Sequence, residues 1–197
     1  MSKIDKALWE ETSESGEFLN IEVGAYLAKI VKIEDDENKQ YVKVYIDLTE
    51  GKYKDFFKLN AERNDNKWSP QGVSYRSYKP TAYAFLKSFV TALEKSNVGY
   101  NFANTGFDFN SFVGKKVVAV FGEEEYEKDN EIKTSVKVRE FRSIIALQEG
   151  KIEIPKKIVI SDERKKELAY HKSVVEERTQ PQLQPTQPLA NSDDLPF

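Results

Sequence analysis

Tyr41, Lys43 and Tyr45 alternate along one side of the stretch QYVKVYIDL, while Val42, Val44, Ile46 and Leu48 take the other. In an extended chain successive side chains point to opposite faces, so the aliphatic set predicts a buried face and the Tyr/Lys set an outward one. Such a face can do two things chemically. Its rings offer π-surface on which flat aromatic groups stack, and its ammonium groups neutralise phosphates. Similar side chains recur downstream: Lys54, Phe56 and Lys58 within KYKDFFKLN, then Arg63, Trp68, Tyr75, Arg76 and Tyr78, and finally Lys133, Lys137 and Arg139. From position 40 to 79 eight basic residues stand against five acidic ones, although the whole chain carries a formal charge of -3. Basic residues interleaved with aromatics suit a single-stranded nucleic acid, where bases stack at ~1–3 kcal/mol each and no base edge need be read. Exposed tyrosine and lysine are also ordinary on a half-exposed strand, so this pattern alone leaves a plain solvated face open.

Other chemistries find little support in the 197 residues. There is no cysteine, which excludes disulfides and thiolate metal sites and predicts an intracellular setting, and His171 is the single histidine. Neither a glycine-rich phosphate loop nor a nucleophile elbow nor metal-ligand spacing occurs. No cofactor and no catalytic group are therefore expected, and an enzyme is the weakest reading. Glu123, Glu124 and Glu125 alternate faces on a strand and read as a solvated turn approach rather than a cation site. No long apolar run predicts a membrane span, and residues 1–18 lack the apolar core of a secretion signal.

The elements that must position the candidate residues follow from periodicity. Strands are predicted over 25–33, 40–48, 52–60, 116–126 and 132–145, the last with Ile132, Thr134, Val136 and Val138 inward. Residues 61–80 read as a long loop. Pro80 opens a helix whose stripe is Ala82, Phe85, Leu86, Phe89, Val90 and Leu93. GFDFNSF reads as a satellite apolar cluster with a short helical turn. Ser161 caps a charged helix through about 178, and the remainder, with four prolines and no basic residue, predicts disorder.

Three strands, a helix and two more strands, each with one apolar face, predict a mainly β fold: a five-stranded antiparallel OB-fold barrel with a helix between strands 3 and 4, plus a disordered tail. An α+β sheet with one covering helix shares that element order, and the barrel is preferred because closure also removes exposed edges. The expected organisation is a polar lead-in (1–20), the OB domain (21–150), a charged helical extension (151–178) and a linker with an acidic tip (179–197). In OB folds the second and third strands and adjoining loops carry the ligand.

The chain closes on Asp193, Asp194, Leu195, Pro196 and Phe197 behind a Pro/Gln-rich run. Acids followed by an aliphatic residue, Pro and Phe, behind such a linker and a predicted barrel, resemble single-stranded DNA-binding proteins of bacteria and their phages. The stretches VGAYLAKIVKIEDDENKQYVKVYIDLTEG and GEEEYEKDNEIKTSVKVREFRSI look like phage-encoded members from Gram-positive hosts. The resemblance implies sequence-independent binding of single-stranded DNA during replication, recombination and repair in the cytoplasm of a bacterial host. It also implies recruitment of partner proteins by the acidic tip. The tetramer of bacterial members is not carried over, because the aromatic loop and the segment after Gly150 depart from their short form; a homo-oligomer stays open. Two other readings also stay open: a protein-interaction adaptor and an RNA-binding protein.

Overall fold

The structure, a computed structural model, describes residues 20–179. The lead-in before them, the residues after Thr179 and the tip Asp193, Asp194, Leu195, Pro196 and Phe197 lie outside the described residues. The described chain forms two compact units, one of residues 20–126 and 134–159 and the other of residues 127–133 and 160–179.

Five antiparallel strands run Gly24–Asp36 (β1), Tyr41–Leu48 (β2), Val73–Ser77 (β3), Lys116–Lys128 (β4) and Glu131–Arg142 (β5), in the sheet order β3-β2-β1-β4-β5. Among the described residues the α-helices are Phe56–Arg63 (α1), Tyr83–Ser96 (α2), Ile144–Gln148 (α3) and Asp162–Thr179 (α4). The expected alternation of β2 is realised: Val42, Val44, Ile46 and Leu48 are fully buried, and Tyr41, Lys43 and Tyr45 are half-buried on the other side. The helix expected after Pro80 is present between β3 and β4, and Phe89, Ala92 and Leu93 bury its inner face. Phe85, expected on that stripe, points to solvent at 72% exposure.

Two expectations are corrected. The third strand is not 52–60. That stretch forms a 3-10 turn, Gly51–Tyr53, and then α1. Tyr53, Phe56, Phe57 and Ala61 are all buried, and their i, i+3, i+4, i+8 spacing is helical. A strand would have turned one of the two adjacent phenylalanines outward. Asp47, itself buried, fixes where the helix starts: its Oδ1 accepts from the backbone N–H of Phe57 and of Leu48, each at 3.0 Å. The true third strand lies within the stretch read as a loop, where Ser74 and Arg76 pair with Val44 and Val42.

The second correction concerns closure, since the sheet is not a closed barrel. The five residues of β3 pair only with β2. At the seam toward β5 stands the Arg76 side chain, donating to the Arg139 carbonyl at 3.4 Å. Its guanidinium also lies 4.9 Å from the Phe141 ring centre and 5.7 Å from that of Phe89.

One core unites the inner faces of β1, β2 and β4 with α1 and α2. Phe57 stacks on Phe121 at 6.1 Å, and Phe89, Phe102, Phe109 and Phe112 form a continuous set of ring contacts. Of these, Phe109 and Phe112 come from GFDFNSF, which joins the main core through its 3-10 turn, Phe109–Phe112, rather than forming the expected satellite cluster, while Phe107 is exposed. Val118 and Val120 of β4 are buried as well, so this strand is covered on both faces. Beyond the start of β1, the segment 151–159 covers the edge of β4: the N–H of Glu125 donates to the Ile158 carbonyl at 2.8 Å, and that of Ile158 to the Glu123 carbonyl at 3.0 Å.

In the second unit Asp129 and Asn130 both adopt positive φ, the geometry of a tight hairpin turn between twisted strands. Ser161 accepts from the Arg164 N–H at 3.3 Å and so caps α4 as expected, while the Arg164 side chain pairs with Glu127 and Glu167, both at 2.8 Å. No helix among the described residues is long and apolar enough to cross a membrane.

Candidate nucleic-acid interface

The outward side of β2 lies between β1 and β3, and pairing fixes its neighbours. Tyr45, Lys43 and Tyr41 stand opposite Lys32, Glu34 and Asp36 of β1, and opposite Val73, Tyr75 and Ser77 of β3. The result is a three-strand surface with aromatic, basic and acidic groups in one register. Tyr75 is 60% exposed and meets Tyr41 edge to face at 5.3 Å. Lys32 and Tyr45 form a cation–π pair with the ammonium 5.1 Å from the ring centre.

Glu34 organises this surface. Its Oε1 lies 2.6 Å from Lys32 Nζ; its Oε2 lies 3.2 Å from Lys43 Nζ and accepts from the Tyr45 hydroxyl at 2.8 Å. The Lys32 bond, then the Tyr45 bond, hold the Glu34 carboxyl down to about 2. Burial, reinforced by the bond to Glu34, pushes the Tyr45 phenol up to about 12, and the same carboxylate raises Lys43. Glu34 is therefore ionised and Tyr45 protonated at neutral pH.

The expected site residues divide sharply by position. Tyr41, Lys43, Tyr45 and Tyr75 come together on the face. Lys54 sits exposed in the turn before α1, and Lys58 and Arg63 are exposed on α1. Phe56, expected outward, belongs to the core at 7% exposure. Arg76 and Tyr78, expected as nucleic-acid contacts in a loop, turn toward the core instead. Arg76 is mostly buried, and burial pulls its guanidinium down to about 10. Tyr78 stacks on Phe109 at 5.3 Å and donates to Asp35 at 3.0 Å. Trp68 stands at the rim, 6.5 Å from Tyr45 and 6.4 Å from Phe57, and packs against the core.

On β5, Lys137 and Arg139 converge on Glu124 of β4, with Lys137 Nζ 2.6 Å from Oε1 and Arg139 on Oε2. Glu123 and Glu125 instead bracket Lys157, at 3.8 and 3.4 Å. Lys133 lies in the second unit and pairs with Glu131 at 3.8 Å. The inward set expected for β5 is confined to Val138 and the half-buried Val136; Ile132 and Thr134 are exposed, and Phe141 supplies the next buried side chain. Beside Glu124 and Lys137 an open depression of about 810 Å³ is also lined by Ile21, Pro70, Gln71 and Ser135. Among the described residues no group of His, Cys, Asp or Glu is arranged to hold a metal ion.

Sequence reasoning missed Lys32 and Glu34. A β-bulge between Ile30 and Lys32 shifts the register, so residues that strict alternation turns inward point outward instead. The available signal was the continued alternation Lys32, Ile33, Glu34, which the acidic run after it disguised as the start of a loop. No protein-family model matches this chain, and no curated protein matches it at a significant level.

Proposed function

We propose that this chain binds single-stranded DNA without sequence preference on the outer face of β1, β2 and β3. One observation carries the reading: Tyr41, Tyr45 and Tyr75 share that face with Lys32 and Lys43 across adjacent strands, backed by a packed core. The rings supply stacking platforms and the ammonium groups meet phosphates. The finer fold reading is OB-type. The strand order β3-β2-β1-β4-β5 is that of a five-stranded barrel opened between its third and fifth strands, and a partly open barrel with ligand on strands 2 and 3 suits this role. The segment Asp193–Phe197 acts in this reading as a tether. Phe197 and Leu195 enter an apolar pocket on a replication, recombination or repair protein whose rim is basic toward Asp193 and Asp194.

Fluorescence anisotropy with labelled oligo-dT, oligo-U and a duplex of equal length tests the reading. The expected result is oligo-dT binding that weakens linearly in log–log with salt, and weak duplex binding. Duplex preference or no binding at low salt overturns it, and preference for oligo-U transfers it to RNA. Removal of residues 193–197 is expected to leave oligo-dT affinity equal or higher while abolishing partner capture.

A further inference from the structure

We propose that Glu34 is an internal competitor for the phosphates this face binds, its carboxylate holding Lys32, Lys43 and Tyr45 until a nucleic-acid phosphate displaces it. The inference rests on the nucleic-acid reading above and adds what sets its affinity. A carboxylate and a phosphodiester each carry one negative charge shared by two oxygens. Glu34 uses both oxygens, Oε1 on Lys32 and Oε2 on Lys43 and Tyr45, as a bound phosphate would. Exchange of one anion for the other keeps the donors satisfied, so their hydrogen bonds need not be lost. The cluster is open to such exchange: the Lys32, Lys43 and Glu34 side chains are 60%, 31% and 36% exposed.

The backbone places Glu34 there by a specific device. Before the bulge Ala28 and Ile30 face the core, and after it Ile33 pairs with Val44 on the inner side. Without the extra residue Glu34 would point inward. With it, Glu34 stands opposite Lys43, and Lys32 opposite Tyr45. A second pair repeats the pattern independently, Glu124 spanning Lys137 and Arg139. In both places one glutamate holds two cations, of which the sequence marks Lys43, Lys137 and Arg139 as phosphate contacts, so each empty cluster is only partly neutralised and its cations are released against a competing anion.

The test compares the full chain with Glu34→Gln and Glu34→Ala, using oligo-dT anisotropy across a salt series. Glu149→Gln serves as a control that removes an equal charge from the exposed Lys151–Glu149 pair. Both Glu34 variants are expected to bind roughly threefold to tenfold tighter, the weight of two partly exposed ion pairs. Their salt slope should steepen by about 0.7 for each further phosphate neutralised. Glu149→Gln should change affinity by less than about twofold. Wild-type binding with unchanged or weaker binding by the Glu34 variants overturns the proposal. Equal tightening by Glu149→Gln also overturns it, since net charge then explains the effect. Absence of binding by every variant overturns the nucleic-acid reading itself.

Discussion

Asp47→Ala is expected to be the most destabilising single change near the face, and its size follows from two hydrogen bonds. Oδ1 of this buried carboxylate accepts from the N–H of Leu48 and of Phe57, both at 3.0 Å. The first closes the end of β2 and the second starts α1. Bonds to a charged acceptor contribute about 1.5–3 kcal/mol each, and alanine leaves both donors buried without a partner. Removing the carboxylate also recovers its burial cost, which is visible in a carboxyl raised above its ordinary value chiefly by desolvation. The balance is a loss of about 3 kcal/mol. Asp47→Asn keeps an oxygen in the same place and loses only the charge, costing about 1 kcal/mol. Urea denaturation followed by circular dichroism reads this directly; with a slope of about 2 kcal/mol/M the alanine midpoint falls by about 1.5 M. The raised carboxyl also sets a sign. The folded state holds its proton more tightly, so the stability linked to that proton is fully present below the ordinary pKa and is lost as pH rises through the folded one, a slope absent from Asp47→Asn. Alanine and asparagine variants that both stay within about 0.5 kcal/mol of wild type would refute the capping role.

Tyr75→Ala should weaken oligo-dT binding by about 1–3 kcal/mol, because this ring is the most exposed aromatic on the face, and should leave the melting temperature nearly unchanged. Equal affinity of the variant would remove stacking at Tyr75 from the account. Gly72→Ala brings a Cβ within 2.8 Å of the Phe57 ring, so overpacking should cost about 1–3 kcal/mol in the same urea assay, and a neutral result would show that α1 yields freely. The pH profile should fall at both ends. Glu34, depressed from 4.5 to about 2, supports folding above the ordinary value and loses that support as pH falls toward 2. Tyr45, raised from 10.0 to about 12, supports folding below 10 and loses that support as pH rises toward 12. Tyr45→Phe should flatten the alkaline limb, and an unchanged limb would argue against the burial and the Glu34 bond that together raise Tyr45.

Alternation alone determined much of this protein. In β2 the period of two separates four aliphatic side chains from Tyr41, Lys43 and Tyr45, and any strand with that pattern must bury the first set. The helix after Pro80, the turn at Phe109–Phe112 and the Ser161 cap were legible for the same reason, since local spacing and capping chemistry decide them. Tertiary structure decided what local pattern left degenerate. Phe56 and Phe57 became helical because two buried walls and the Asp47 carboxylate could satisfy both rings and the first N–H groups at once. Arg76 turned inward because two phenylalanines, distant in sequence, form the slot that receives its guanidinium. Glu34 reached the face only through a one-residue bulge, whose parity shift depends on how β1 pairs with β2. A period of two carries no mark of where it slips, so the residue that governs the charge of this face was set by strand pairing rather than by spacing.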